Sequence, residues 1–276
     1  MEVLVKPVYN IDEYDCADGF VLPLKGFSVD YSNYYNIQQI KEIIKKTEKK
    51  IFVVINKMIE NDEIEDLKNI LIELNSLKIE GIFFYDLSLL ELKKELELNI
   101  DLVWNNTHMV TNYYTCNYYY DKGCKYSYLS NEITIDEIID LKKNTKSLLI
   151  FMLLGYPVVS FSKRKLITNS GLENNLKIKE PISKQEYKVI ENEFGTTFKY
   201  NKVRNNASCL KELIDNKINY IYLIEDDIDH ERFLEGLKLT CGYIDEPNEL
   251  YVKKMGDLFG NDTGFLHRRT IYKVTK

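Results

Sequence analysis

The chain of 276 residues carries 37 Lys and Arg against 43 Asp and Glu, a net charge of −6, and is 45% hydrophobic and 29% charged. That length supports one large core, the size of a single α/β barrel, and requires no second domain. Met1 leads into Glu2–Pro7 without a basic region, and no uninterrupted run of about 18 apolar residues follows, so neither a secretory signal nor a membrane span is expected and the cytoplasm is the default location. The cysteines, Cys16, Cys116, Cys124, Cys209 and Cys241, are scattered without a CxxC pair. They argue for reduced thiols and against a disulfide framework or a zinc knuckle.

Taken in order, the chain repeats one pattern. Apolar, β-branched runs at Glu2–Val5, Gly19–Leu24, Ile51–Ile55 and Gly81–Phe84 read as strands. Amphipathic segments lie between the later ones. Ile37, Ile40, Ile43 and Ile44 share one helical face, as do Ile64, Leu67, Ile70, Leu71 and Leu74, and Leu87–Leu98 continues the series. The middle of the chain is a complete βαβ unit. A strand at Asp101–Trp104 precedes the stretch from Thr107 to Thr134, in which Thr111 or Asn112 can cap a helix running to about Asp121 and ended by Gly123. A strand at Lys125–Leu129 follows. Ser130, Asn131 and Glu132 then fall just past its carboxyl end, and Thr134 and Glu137 have the spacing of a capping box. Strands beginning near Leu148 and Asn219 bring the count to eight. Apolar strands alternating with helices imply parallel strands covered on their outer side, and eight of them close into a TIM-like (β/α)8 barrel. A doubly wound open sheet is the alternative, but no strand is followed by a GxGxxG turn.

Residues 154–205 interrupt the alternation. Within them, Glu186–Val203 reads as two strands joined by a turn at Phe194 and Gly195, so a small β insertion over the top of the barrel is expected. The segment holds ten Lys or Arg against five Glu, a net +5, which leaves −11 on the rest of the chain. A basic flap on an acidic body suits contact with phosphates such as those of RNA, and it equally suits a solvated hairpin kept soluble by its lysines.

In a barrel, side chains at the carboxyl ends of strands converge on one rim. Asn56, Asp86, His108, Asn112 and Glu132 occupy such places. They offer a general acid or base in Asp86 or Glu132, a partner in His108, and amides able to hold a carboxylate or a base edge. Helix capping explains Asp86, Asn112 and Glu132 equally well. Glu225, Asp226, Asp227 and Asp229, with His230, form an acidic run after the eighth strand that could hold a divalent metal or face the positive end of the next helix. Nucleophilic catalysis has little foothold: His108, His230 and His267 are far apart and no GxSxG elbow occurs. Cys116 fits a packed helical position. Tyr113, Tyr114, Tyr118, Tyr119 and Tyr120 could stack on bases, although the spacing of Tyr113 and Tyr120 suits core or interface packing.

The stretch HMVTNYYTCNYYYDKGCKYSYLSNEITIDEI resembles the strand, helix, strand and Glu-bearing turn of the collagenase-like peptidases, the U-thirty-two class of unassigned mechanism. FVVIN at 52–56, YDLSLL at 85–90, GYPVVSFS at 155–162, the segment from Glu193 to Asp227 and the tail DTGFLHRRTIYKV extend the resemblance over nearly the whole chain. It implies a TIM-like barrel with a β insertion. Members carry peptidase names, while others are associated with oxygen-independent hydroxylation of RNA bases or of a quinone precursor, often through iron–sulfur clusters and sometimes as paired related subunits. Departures narrow these expectations. Cluster-bearing relatives place cysteines after the seventh strand, where this chain has none between Cys124 and Cys209, so no iron–sulfur cluster and no other cofactor is expected. Ile150 and Leu154 stand where the family offers Glu and then His or Tyr, and His108 stands where it offers Gln. Ser162, in the resembling stretch beside Lys163 and Arg164, is the serine to test, and these three residues are the candidates for substrate contact in the insertion. Three functions remain open: a cluster-free member or partner subunit in tRNA or rRNA hydroxylation, a peptidase acting on collagen-like or small peptides, and a non-catalytic binding subunit.

Overall fold

Continuous apolar, β-branched runs produce strands with two covered faces, and here they close on themselves. The computed structural model describes residues 1–106, 108–174, 176–182 and 184–268. Strands β1 (Glu2–Lys6), β2 (Gly19–Pro23), β3 (Lys50–Ile55), β4 (Gly81–Phe84), β5 (Leu102–Trp104), β6 (Tyr126–Tyr128) and β7 (Leu148–Gly155) follow in order. An excursion then holds β8 (Val158–Ser162), β9 (Leu176–Lys179), β10 (Glu186–Asn192), β11 (Gly195–Tyr200) and the short β12 (Arg204–Asn205), before β13 (Tyr220–Ile224). Strands β1 to β7 pair each with the next in parallel, β7 pairs with β13, and β13 returns to β1. The eight-stranded parallel ring is closed, and the open-sheet alternative is set aside.

Helices α1 (Ile37–Lys46), α2 (Ile64–Asn75), α3 (Ser88–Glu95), α4 (Tyr113–Asp121) and α5 (Ile135–Asn144) cover successive connections. The four-residue α6 (Leu166–Asn169) belongs to the excursion, and α7 (Leu210–Asp215), α8 (His230–Asp245) and α9 (Tyr251–Phe259) complete the outer layer. Between β1 and β2 the described residues form a 3-10 turn, Ile11–Glu13, instead of an α-helix. The central βαβ unit has the expected caps: the Asn112 side chain accepts the Thr115 N–H at 3.0 Å, and Thr134 with Glu137 forms a reciprocal capping box. The final residues of the tail motif, 269–274, lie outside the described residues.

Two apolar layers result. Ile40, Leu67, Leu71 and Leu74 pack the helices onto the outside of the barrel, while its interior is unusually aromatic. Phe52 meets Phe83, Tyr126 and Tyr220 edge-on, with ring centroids 5.4–6.2 Å apart. The period of two that points Leu4, Val54, Phe83, Val103 and Tyr222 inward also carries Lys6, Asn56, Tyr85, Asn105 and, two steps on, Asp226 to the inside of the carboxyl rim.

Residues 158–200 form a second, antiparallel sheet of order β8-β11-β10-β9. The expected hairpin is present as β10 and β11, but its turn is Glu193–Phe194, and Gly195 already belongs to β11. Two further strands flank it. Their alternation is masked in the sequence because β8 and β9 mix Ser and Lys with apolar residues on a sheet solvated on one face. This sheet is held over the barrel mouth from several sides. Thr197 Oγ1 donates to the Asp30 carboxylate, Lys199 Nζ donates to the Asp30 carbonyl at 2.8 Å, and Lys188 pairs with Asp227 at 2.8 Å. Lys163 pairs with Glu60, and the Lys57 ammonium sits 5.1 Å from the centre of the Phe194 ring at the hairpin tip.

Candidate functional site

The inward residues of the rim and the underside of this cap enclose a cavity of about 280 Å³. Its position, at the carboxyl ends of the barrel strands, is where barrels place their sites. Phe83, Tyr128 and Tyr222 rise from the barrel, Tyr31 and Met58 come from its loops, and Val158, Val159 and Phe161 close it from β8. Polar side chains of the lining are Asn56, Asn105, Asn131, His108, Ser160, Asp30, Lys199 and Asp226, and its tyrosines add hydroxyls. Tyr85, His108 and Ser160 are the exposed members of the lining and mark its mouth.

A buried ion pair lies at one side of this cavity. Lys6, wholly buried, donates to Asp226 Oδ1 at 2.6 Å and reaches Ser32 and Asn33. Asp226 Oδ1 also accepts the Ser32 N–H at 2.8 Å and its hydroxyl. The other oxygen, Oδ2, is buried and has no hydrogen-bond partner. Burial opposes ionisation of Asp226, but the Lys6 and Lys199 charges and the bonds from Lys6 and Ser32 outweigh it and hold this carboxyl below its ordinary value. Asp30 behaves oppositely: burial pushes its carboxyl up, against the Thr197 bond and the Lys199 charge. Two carboxylates of one cavity are thus driven apart, the arrangement by which one fold keeps an acid and a base side by side. Asp30 and Asp227 both adopt left-handed backbone, φ 75° and 65°, and both hold Lys199. Non-glycine residues persist there only where their surroundings fix them.

The residues singled out from the sequence divide. Asn56 and His108 line the cavity. Asn56 is occupied with the backbone of Val29, accepting its N–H at 2.9 Å, and so fixes the loop that carries Asp30. His108 Nε2 lies 3.2 Å from the Val159 carbonyl and its Nδ1 is 3.8 Å from Glu132, which sits on the far side of β8 in a small cleft with Arg204 and Tyr200. Asp86 and Asn112 are outside the cavity. The Asp86 carboxylate accepts the N–H groups of Ile59 at 3.0 Å and Ser88 at 2.9 Å, and Asn112 caps α4. Ser162 accepts the Arg164 N–H at 3.2 Å, Lys163 is spent on Glu60, and Arg164 is exposed on the cap.

The acidic run is dispersed as well. Asp229 caps α8, Asp227 pairs with the cap, and Asp226 faces Lys6. Glu225 accepts from Tyr14, from Val8 N at 3.0 Å and from His230 at 2.6 Å. Among the described residues no three His, Cys, Asp or Glu side chains gather as a metal-holding group. The thiols do not fit a cluster either: Cys116, Cys124 and Cys209 are separately buried, with burial pushing Cys124 up to about 12, while Cys16 and Cys241 meet each other near the amino-terminal end of β2. Lys6, Asp30, Tyr31 and Lys199 are site residues that the sequence does not single out. Lys6 leaves one signal, a lysine ending an apolar strand at inward parity.

Comparison with known proteins bears on this geometry. The sequence pattern described as peptidase family U32 matches residues 16–223. The tRNA hydroxylation protein P2 of Bacillus subtilis (strain 168) is 26% identical over 268 residues, covering 86% of this chain and 85% of that protein. Among solved structures, the U32 peptidase Mk0906 superposes with a TM-score of 0.52 at 15% identity, covering 81% of this chain and 92% of that one, which supports the fold.

Proposed function

The chain belongs to peptidase family U32, and we propose that within it the protein serves tRNA hydroxylation, as a cluster-free member or as the partner of a related subunit. The observation that carries this reading is the similarity to a tRNA hydroxylation protein along most of both chains. The cavity is compatible with it. An aromatic chamber with polar groups among its walls suits one unstacked base or another small ring. The cap supplies a route for the RNA backbone. Arg164, Lys165, Lys177 and Lys202 are exposed on it and have no acidic side chain within 4 Å among the described residues. Phosphates would be met there by solvated cations, while Lys163, Lys188 and Lys199 hold the cap to the barrel.

Peptide hydrolysis has weaker geometric support. Ser160, the serine of the lining, has no hydrogen bond to a histidine among the described residues, and no lining cysteine is present to act as nucleophile. The test is mass spectrometry of nucleosides from total tRNA of a strain lacking this gene, beside its parent and a complemented strain. Loss of one hydroxylated nucleoside, restored on complementation, is the expected result. An unchanged profile overturns the proposal and turns attention to peptide cleavage.

A further inference from the structure

The charge inventory of the cavity decides what it can hold. Its lining carries two carboxylates, Asp30 and Asp226, against one ammonium, Lys199, and the second ammonium, Lys6, stands behind Asp226. Both ammoniums are committed, Lys6 to Asp226, Ser32 and Asn33, and Lys199 to the Asp30 carbonyl and, at 3.9 Å, to Asp227. An anion entering this chamber would find no unpaired cation buried there, and it would meet the Asp226 carboxylate. Two buried polar atoms of the lining lack a hydrogen-bond partner, the Tyr222 hydroxyl and Asp226 Oδ2, and of these the carboxylate oxygen can only accept. Asp226 is 2% exposed, lines the cavity, and keeps Oδ2 without a hydrogen bond. A buried acceptor left bare is costly, and in native proteins it marks a place that a ligand or an ordered water completes. The same cavity has aromatic walls, with Phe83 5.8 Å from Tyr128 and 6.0 Å from Tyr222 between ring centroids.

We propose that the cavity accepts one uncharged planar ring that presents an N–H donor, and that Asp226 is the acceptor that selects it. This rests on the tRNA hydroxylation reading, in which the ring is a base drawn out of the RNA. Aromatic walls hold such a ring by its faces without regard to its edge. Asp226 supplies the edge recognition: a ring whose N–H is replaced by methyl leaves the carboxylate unmatched and adds bulk where the donor belonged.

Three free bases test this on the full chain by titration calorimetry or ligand-observed NMR: uracil, 1,3-dimethyluracil, which has lost both ring N–H groups, and orotate, which keeps the ring and adds a carboxylate. Uracil is expected to bind, dimethyluracil at least about tenfold more weakly, and orotate no more tightly than uracil. Dimethyluracil binding as well as uracil, orotate binding tenfold more tightly, or no uracil binding at millimolar concentration would each overturn the proposal. The double variant Lys6→Met/Asp226→Leu removes the pair together, and once folded it should bind uracil and dimethyluracil alike; retained discrimination would move the selecting group elsewhere. Should that variant fail to fold, the three ligands on the unaltered chain still decide. A normal nucleoside profile in the deletion strain defeats the tRNA reading, whereas a missing nucleoside with no discrimination between uracil and dimethyluracil defeats this inference alone.

Discussion

Asp86 and Asp226 are both aspartates two residues beyond a barrel strand, yet one holds backbone and the other faces a cavity. The difference lies in what each meets: Asp86 finds two free N–H groups, from Ile59 and Ser88, while Asp226 finds a buried ammonium. His230 shows the same dependence on neighbours. Burial alone would lower its pKa, but the hydrogen bonds to Glu13 at 2.9 Å and Glu225 at 2.6 Å outweigh burial and raise it above the ordinary value of 6.5. A histidine whose pKa rises on folding contributes stability that is complete below the unfolded value and disappears as pH climbs through the folded one. Urea denaturation from pH 6 upward should therefore show a loss of stability above about pH 6.5 that the His230→Gln variant lacks. Parallel pH curves for the two proteins would refute it.

At the scale of elements, the cap sheet depends on a single backbone position. Gly195 opens β11 with φ 138°, and a Cβ built there would collide with the Ser162 carbonyl of β8. Only glycine combines that conformation with so close an approach. Gly195→Ala should consequently loosen the pairing of β8 with β11 while the barrel, whose parallel ladders do not involve this residue, keeps its cooperativity. Hydrogen exchange is the measurement: faster exchange confined to the amides of residues 158–200 is expected, and uniform acceleration across β1 to β7 would contradict a separable cap. Because β8 and Lys199 line the cavity, the same variant should weaken small-ligand binding.

For the whole molecule, an excess of negative charge is paired with a cap of net positive charge. Five of the cap's cations, Arg164, Lys165, Lys177, Lys184 and Lys202, are exposed without an acidic partner among the described residues, whereas others are structural. The variant Arg164→Gln/Lys165→Gln/Lys177→Gln/Lys202→Gln should bind total tRNA more weakly. Its dependence of log K on log salt should be shallower by roughly 0.7 to 0.9 for each phosphate that the variant no longer neutralises. Thermal stability should stay near that of the parent, since exposed substitutions change it by about 0.5 kcal/mol or less. Unaltered affinity and slope would remove the cap from RNA binding and leave its lysines a solubilising role.

Periodicity in the chain determined eight apolar strands alternating with covering segments, which suits a barrel or a doubly wound sheet, and the pairing of β13 with β1 closes the barrel; the caps at Asn112 and Thr134 are local arrangements read from a few neighbouring residues. The family resemblance was legible for a similar reason, being spread over short motifs along the chain. The site was legible only in part. Asn56 and His108, which end or follow strands, line the cavity, but their sequence placement does not separate them from Asp86 or Asn112, which serve as caps. The Lys6–Asp226 pair joins residues 220 positions apart, and Lys199 reaches the mouth from an inserted sheet. Such neighbours are set by closure of the barrel and by how the cap docks. Neither leaves a local pattern, so the tertiary structure alone decides which charges are paired and which buried oxygens of the cavity are not.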